Sequence, residues 1–164
     1  MSTAAATQTA LPRFHIALLH PEIGPNAGNV GRLCLGVGAR LHLVHPLGFR
    51  TDEKAVRRAG LDYWKHVDVV EHDSAESFFA WVGDRRMHLF SSHGERAYTH
   101  CPFARGDVLL FGRESRGLPP ELVEAHGAWR IPLADSVRSL NLANAVAVAA
   151  YAALARVEPG LFGA

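Results

Sequence analysis

Residues 14–38 read FHIALLHPEIGPNAGNVGRLCLGVG, and this run decides the fold class. Residues 14–19 are almost wholly apolar and stop at His20-Pro21, as a buried strand does. Pro21, Gly24 and Pro25 then favour a tight turn, and from Gly28 to Gly38 apolar residues return at helical spacing. Asn26 or Asn29 is placed to cap that helix. A short apolar strand, a glycine turn and a helix together form the unit from which parallel sheets are built.

The pattern repeats outward. Residues 40–44, 67–71, 87–91, 108–111 and 129–131 read as further strands, rich in Val, Leu, Ile and Phe. Residues 53–59, 74–82 and 120–126 read as helices between them. Ser74 is a candidate cap, with Ser77 expected not to complete a capping box because that box wants Glu or Gln. The expected fold class is therefore α/β, a mostly parallel sheet flanked by helices on both faces. No repeat or linker divides the chain. Residues 13–164 read as a single domain behind a flexible extension over 1–12 (MSTAAATQTALP), which lacks the basic start and apolar run of a signal peptide.

The last helix, residues 141–157 (NLANAVAVAAYAALARV), is apolar on nearly every side. Such a helix has to be buried all round, and one sheet covers one face only. A second copy of the chain is the simplest source of the other cover, which points to a homodimer.

Composition narrows the class further. The 164 residues are 48% hydrophobic and 20% charged, with a formal net charge of +1, so any nucleic-acid affinity must come from local patches. The longest apolar stretch, residues 142–155, is too short to span a bilayer, and no membrane association is expected. Cys34 and Cys101, outside any CxxC, read as free thiols of a cytoplasmic protein. Ten histidines show no i, i+4 pair on a helix, so no metal site is expected. Trp64, Trp81 and Trp129 read as core or dimer surface.

Three constellations carry chemistry. PEIGPNAGNVGR (21–32) places Arg32 in the helix after the first strand, where open parallel sheets bind ligands. Its glycines at 24, 28 and 31 do not fit the dinucleotide fingerprint GxGxxG. LFGRESRGLP (110–119) runs from a strand into a turn. There Gly112 admits a close ligand or backbone, and Glu114 offers acceptors to ribose hydroxyls or backbone amides. The run lacks the GKS or GKT of a Walker loop. Finally IPL (131–133) and SVRSLNLAN (136–144) precede and open the last helix. Ser139 or Asn141 can cap it, and Asn144 enters it as a buried amide that needs a partner, either a loop or a ligand. A capped helix, a decorated turn and a structural asparagine would explain each run separately.

Taken in order, NxGNxxR at 26–32, GxExxGLP at 112–119 and SLNLxNAVAV at 139–148 resemble the SPOUT superfamily of RNA methyltransferases, in its TrmH-like ribose 2′-O-methylating branch. PEIGPNAGNVGRLC, RLHLVHPLGF and VRRAGLDYW are similar to the small subgroup that acts on the tRNA wobble nucleotide. Arg113 stands where that subgroup would carry proline. The resemblance implies a C-terminal trefoil knot, a homodimer with its site at the interface, and S-adenosylmethionine as methyl donor. The implied substrate is the wobble cytidine or modified uridine of tRNA, leucine tRNAs being the expected species. By resemblance, Phe90, Ser91, Gly112, Glu114, Ile131, Leu133, Ser139, Leu140 and Asn144 form the cofactor cup, and Arg32, Asn26, Glu114 and Ser139 are the catalytic set, with Tyr151 a lesser candidate.

A guanidinium keeps its proton far above neutral pH, which favours an electrostatic role beside the developing alkoxide over that of a base. Arg57, Arg58, Arg113, Arg116 and Arg138 are candidate phosphate contacts, doubled by dimerisation. The same transfer on another RNA position, a non-catalytic RNA-binding module and a nucleotide-dependent oxidoreductase are the competing readings.

Overall fold

The computed structural model describes residues 11–163. The extension expected over 1–12 lies outside the described residues apart from Leu11 and Pro12. Seven strands alternate with five helices: β1 (His15–Leu19), α1 (Gly24–Val37), β2 (Arg40–Val44), α2 (Glu53–Arg58), β3 (Val69–His72), α3 (Ala75–Val82), β4 (Met87–Phe90), β5 (Arg96–Ala97), β6 (Val108–Phe111), α4 (Pro120–His126), β7 (Trp129–Arg130) and α5 (Leu142–Val157). They form one sheet in the order β3-β2-β1-β6-β4-β7-β5, with every neighbouring pair parallel.

The strands are apolar throughout because both sheet faces are covered. Ile16, Leu18, Leu41, Leu43 and Leu109 pack against Val30 and Cys34 of α1 and Val146 and Ala150 of α5. The alternate set, Ala17, Leu19, Val44, Val108 and Leu110, packs against Phe78 and Val82 of α3 and Leu118 beside α4. Cys34 and Cys101 are free and buried, and burial pushes both thiols up to about 12.

Several boundaries depart from the sequence reading. α1 starts at Gly24 rather than Gly28, with Ile23 at the cap position, so neither Asn26 nor Asn29 is the cap. Gly24 belongs to the helix and not to the turn, and with Gly28 and Gly31, read as helical, it serves close packing. A Cβ on Gly24 would lie 3.3 Å from Phe49, one on Gly28 3.1 Å from Leu61, and one on Gly31 2.5 Å from Trp64. Ser77 does complete the capping box, its hydroxyl accepting from the Ser74 N–H at 3.2 Å as a carboxylate would. The strand expected over 67–71 sits at Val69–His72, and β5, two residues long, carried no apolar run to reveal it. In α5, Val146, Ala149, Ala150 and Ala153 are buried while Tyr151 is 49% exposed, so in a single chain the helix is covered on one side only.

Under α3 the parallel register lines up three buried imidazoles. His15 Nδ1 lies 3.0 Å from His42 Nε2, and His42 Nδ1 lies 2.9 Å from His72 Nε2. Trp81 covers His42 at 4.1 Å between ring centroids. Burial holds His15 down at about 4, helped by the Arg40 and Arg85 charges, and His42 at about 2, helped by its two imidazole neighbours. Each is neutral when folded and protonates near 6.5 when unfolded, so stability is full above about pH 6.5 and falls as acid is added. Denaturant titrations from pH 7 to pH 4 are expected to show a loss of roughly 1 kcal/mol per pH unit for each of these two groups. A ¹⁵N imidazole titration with His42 turning near 6.5 would contradict this account.

Candidate active site

The C-terminal ends of adjacent strands β1, β6, β4 and β7 deliver four loops to one edge of the sheet, the edge at which open α/β sheets bind ligands. Glu114, just past β6, holds the start of α1. One carboxylate oxygen accepts from the Glu22 N–H at 2.8 Å and the other from the Ile23 N–H at 3.1 Å. It therefore ties down the turn that leads into α1, placing a carboxylate at the positive end of the helix dipole. Glu22 reciprocates, accepting from the Ser115 N–H and hydroxyl, both at 2.9 Å. Those two bonds, with help from the Arg113 and Arg116 charges, hold the Glu22 carboxyl below its ordinary range.

Asn26, 6% exposed, connects this pair to the third run. Its amide donates to Glu114 Oε1 at 3.2 Å and accepts from the Asn141 amide at 2.9 Å. The Asn141 oxygen in turn accepts from the Ala143 N–H at 2.9 Å and caps α5. Asn26, Glu114 and Asn141 thus pin all three runs to one point. Glu22 and Asn141 are the members that sequence reading missed as site residues. Asn141 was legible only as a cap candidate, shared with Ser139, which does not cap.

The expected cofactor residues flank this point. Phe90 is buried at the end of β4, its ring 4.8 Å from that of Phe111, and the Ser91 N–H donates to the Trp129 carbonyl. Gly112 is required by the protein's own backbone, because a Cβ there would lie 2.0 Å from the Gly117 carbonyl carbon in the tight turn closed by Gly117 N–H and the Arg113 carbonyl. Between residues 132 and 140 the main chain makes one hydrogen bond among the described residues, Val137 to Ala134. Leu133 and Val137 are exposed on that stretch, as is Ser139, with Ile131 and Leu140 half-buried at its ends. Free backbone donors and acceptors beside apolar side chains suit a ligand with an aromatic base and a thioether-like arm. Asn144, expected to be a buried amide, is exposed in the single chain. No group of three or more His, Cys, Asp or Glu among the described residues is placed to hold a metal.

Arg32 is not part of this cluster. It is exposed, six residues beyond Asn26 and so about 9 Å further along the α1 axis. Its guanidinium carbon stands 6.0 Å over the Tyr63 ring, and the Tyr63 hydroxyl donates to the Gly28 carbonyl at 2.8 Å. Among the candidate phosphate contacts, Arg57 is paired with Glu53 at 3.0 Å. Arg58, Arg116 and Arg138 are exposed, and Arg113 is half-buried beside the Glu22 carboxylate.

Removing the Glu114 carboxylate would strand two main-chain amides and the Asn26 side chain. Glu114→Ala is expected to cost about 1–3 kcal/mol in denaturant unfolding, and Glu114→Gln less, since one acceptor oxygen remains. Equal losses for the two variants would show that the acceptor geometry does not matter.

The profile of the SpoU rRNA Methylase family matches residues 13–151. A tRNA (cytidine(34)-2′-O)-methyltransferase from Aeromonas hydrophila is 48% identical over 139 residues, covering 83% of this chain and 89% of that protein. The Escherichia coli (strain K12) protein of the same description is 42% identical over 143 residues, with 85% and 91% covered. A solved structure described as giving insights into the 2-OH methylation of C/U34 on tRNA is 46% identical, covers 92% of this chain and 97% of its own, and superposes with a TM-score of 0.83. The AdoMet-bound rRNA methyltransferase from Sinorhizobium meliloti is 28% identical with a TM-score of 0.74, matched over 86% of this chain and 55% of its own. With the profile running from β1 into α5 and with Asn26, Glu114 and Asn141 inside it, the chain belongs to the SpoU methylase family.

Proposed function

We propose that this protein transfers the methyl group of S-adenosylmethionine to the ribose 2′-hydroxyl of the wobble nucleotide of tRNA, a cytidine or modified uridine. The observation that carries this reading is the junction at Asn26, where the three runs that resemble the RNA-methylating branch meet within hydrogen-bond distance. The relatives described as tRNA (cytidine(34)-2′-O)-methyltransferases, 42–48% identical over most of the chain, support the choice of nucleotide.

S-adenosylmethionine supplies an activated methyl on a cationic sulfur. The main chain of 112–114 and 131–133 would hold its adenine and ribose. Phe90, Ser91, Leu140 and Asn144 would close the sides of that cup, and Ser139 would order its rim. Glu114 acts by fixing the loop that carries the cup, since both its oxygens already serve α1. We further infer that the C-terminal segment from β7 into α5 passes through the loop after β6 as a trefoil knot, which would make that cup rigid.

Arg32 is the residue for the reacting oxygen. An exposed guanidinium beside Tyr63 can stabilise an alkoxide or clamp a phosphate that takes the proton. Because Arg32 stands apart from the loops of its own chain, the site is complete only when a partner protomer brings its own arginine to those loops. The exposed apolar residues Ile23 at the cap of α1, Leu35 on α1 and Tyr151 on α5, two helices packed on one another, would form the face for that homodimer. Arg116, Arg138 and Arg58 would meet the RNA backbone.

Nucleoside mass spectrometry of tRNA incubated with the protein and S-adenosylmethionine is expected to show 2′-O-methylation at position 34. Arg32→Lys should lower kcat by about a hundredfold, as loss of one preorganised donor does, with S-adenosylmethionine binding unchanged. Methylation elsewhere in the tRNA would assign another position, and cofactor binding without transfer would favour a binding module.

A further inference from the structure

On the far side of α1 from Glu114, a cleft of about 360 Å³ opens between that helix and α2. This volume lies at the low end of small-molecule sites, about 300–1,000 Å³. Pro25 and Gly28 form one wall, and Phe49, Val56, Leu61 and Trp64 form the other. The two walls meet where Leu61 packs on Gly28, 3.1 Å from the place a Cβ would take. A second depression adjoins it, lined by Arg50, Asp52, Lys54 and Arg58. Arg50 is paired with Asp52 at 2.7 Å, whereas Lys54 and Arg58 are exposed and make no ion pair among the described residues.

An apolar slot with aromatic walls beside unpaired cations matches the two halves of a nucleotide, a planar base and its phosphate. Position reinforces the chemistry. Pro25 and Asn29 line the cleft, and Arg32 follows one turn further on the same side of α1, about 5 Å along the axis. Tyr63, which the Arg32 guanidinium overlies, is the chain neighbour of Trp64 in the cleft wall.

We propose that this cleft receives a base of the RNA strand adjoining the methylated nucleotide, with Lys54 and Arg58 on the flanking phosphates. The inference rests on the RNA-methylating reading above and deepens it, because it gives the enzyme a contact outside the reacting ribose by which to select its nucleotide. A base seated there fixes the strand on α1 and sets which ribose lies at Arg32.

The test fills the cleft. Ala55→Trp, from α2, and separately Ala59→Phe project bulk into the space, and both side chains stand at its lining. Binding of a fluorescein-labelled anticodon stem-loop is measured by anisotropy, alongside stem-loops lacking the base on either side of position 34. Filling is expected to weaken binding of the intact stem-loop about tenfold. One abasic stem-loop should bind the parent protein about tenfold more weakly, yet bind the filled variants no more weakly than the intact RNA does. Lys54→Ala with Arg58→Ala should weaken every stem-loop alike and flatten the salt dependence.

Circular dichroism identifies a variant that fails to fold, and the other variant then decides. Filled variants that bind intact RNA as tightly as the parent overturn the proposal, as do abasic losses that simply add to those of filling. A filled variant that falls apart into monomers with RNA binding intact would assign the cleft to a second copy of the chain. Methyl transfer by the parent is read in the same samples. Transfer without the base-specific coupling sinks the cleft alone, and coupling without transfer sinks the methyl-transfer reading alone.

Discussion

One buried amide holds the functional edge of this protein together. Asn26 gives its N–H to Glu114 and takes one from Asn141, joining residues 88 and 115 positions away in the chain. A buried amide without partners costs about 1–3 kcal/mol, so each of the three segments has a stake in the placement of the other two. The exchange of carboxylates between Glu22 and Glu114 adds a second tie at the same place. The start of α1 has no side-chain cap, and the turn that enters it is held by an acceptor from a distant loop. Local structure at this end is therefore a product of tertiary structure, and α1 cannot settle correctly before β6 is in place.

This division of labour explains why the site needs so few dedicated groups. Loops held by paired carboxylates and amides present their main chain in fixed positions, a condition for recognition by backbone rather than by side chain. Arg32 is outside that framework, on the far side of α1 and resting on an aromatic ring. The Asn26 junction and the Arg32 guanidinium are thus separate in a single chain, and one flank of α5 is left uncovered.

The sheet was legible in the sequence because buried parallel strands are continuous apolar runs, and β1, β2, β4 and β6 fall where those runs do. The failures share a cause: features fixed by distant neighbours leave no local trace. Gly24 looked like a turn residue, yet with Gly28 and Gly31 it forms a smooth helical face against Phe49, Leu61 and Trp64. β5 is two residues that are strand only because β7 lies beside them. Asn144 was read as a buried amide because its helix is apolar all round, and one chain alone does not cover it. The roles of Asn26 and Glu114 could be suspected from motif order, but Glu22 and Asn141 emerge only when their hydrogen bonds are seen. The row of His15, His42 and His72 is equally silent in sequence, since it arises from the register of three strands.

The all-parallel order of the sheet also bears on how the chain reaches this state. No strand meets its neighbour through a hairpin, and the central pair sets His15 of β1 opposite Val108 of β6. During synthesis β1, β2 and β3 emerge long before β6 exists to cover the open side of β1. Closing so long a loop carries its entropic cost before any contact rewards it, which slows folding and leaves sticky strand edges waiting. A nascent chain of this protein therefore carries unpaired apolar strand edges until its second half has left the ribosome.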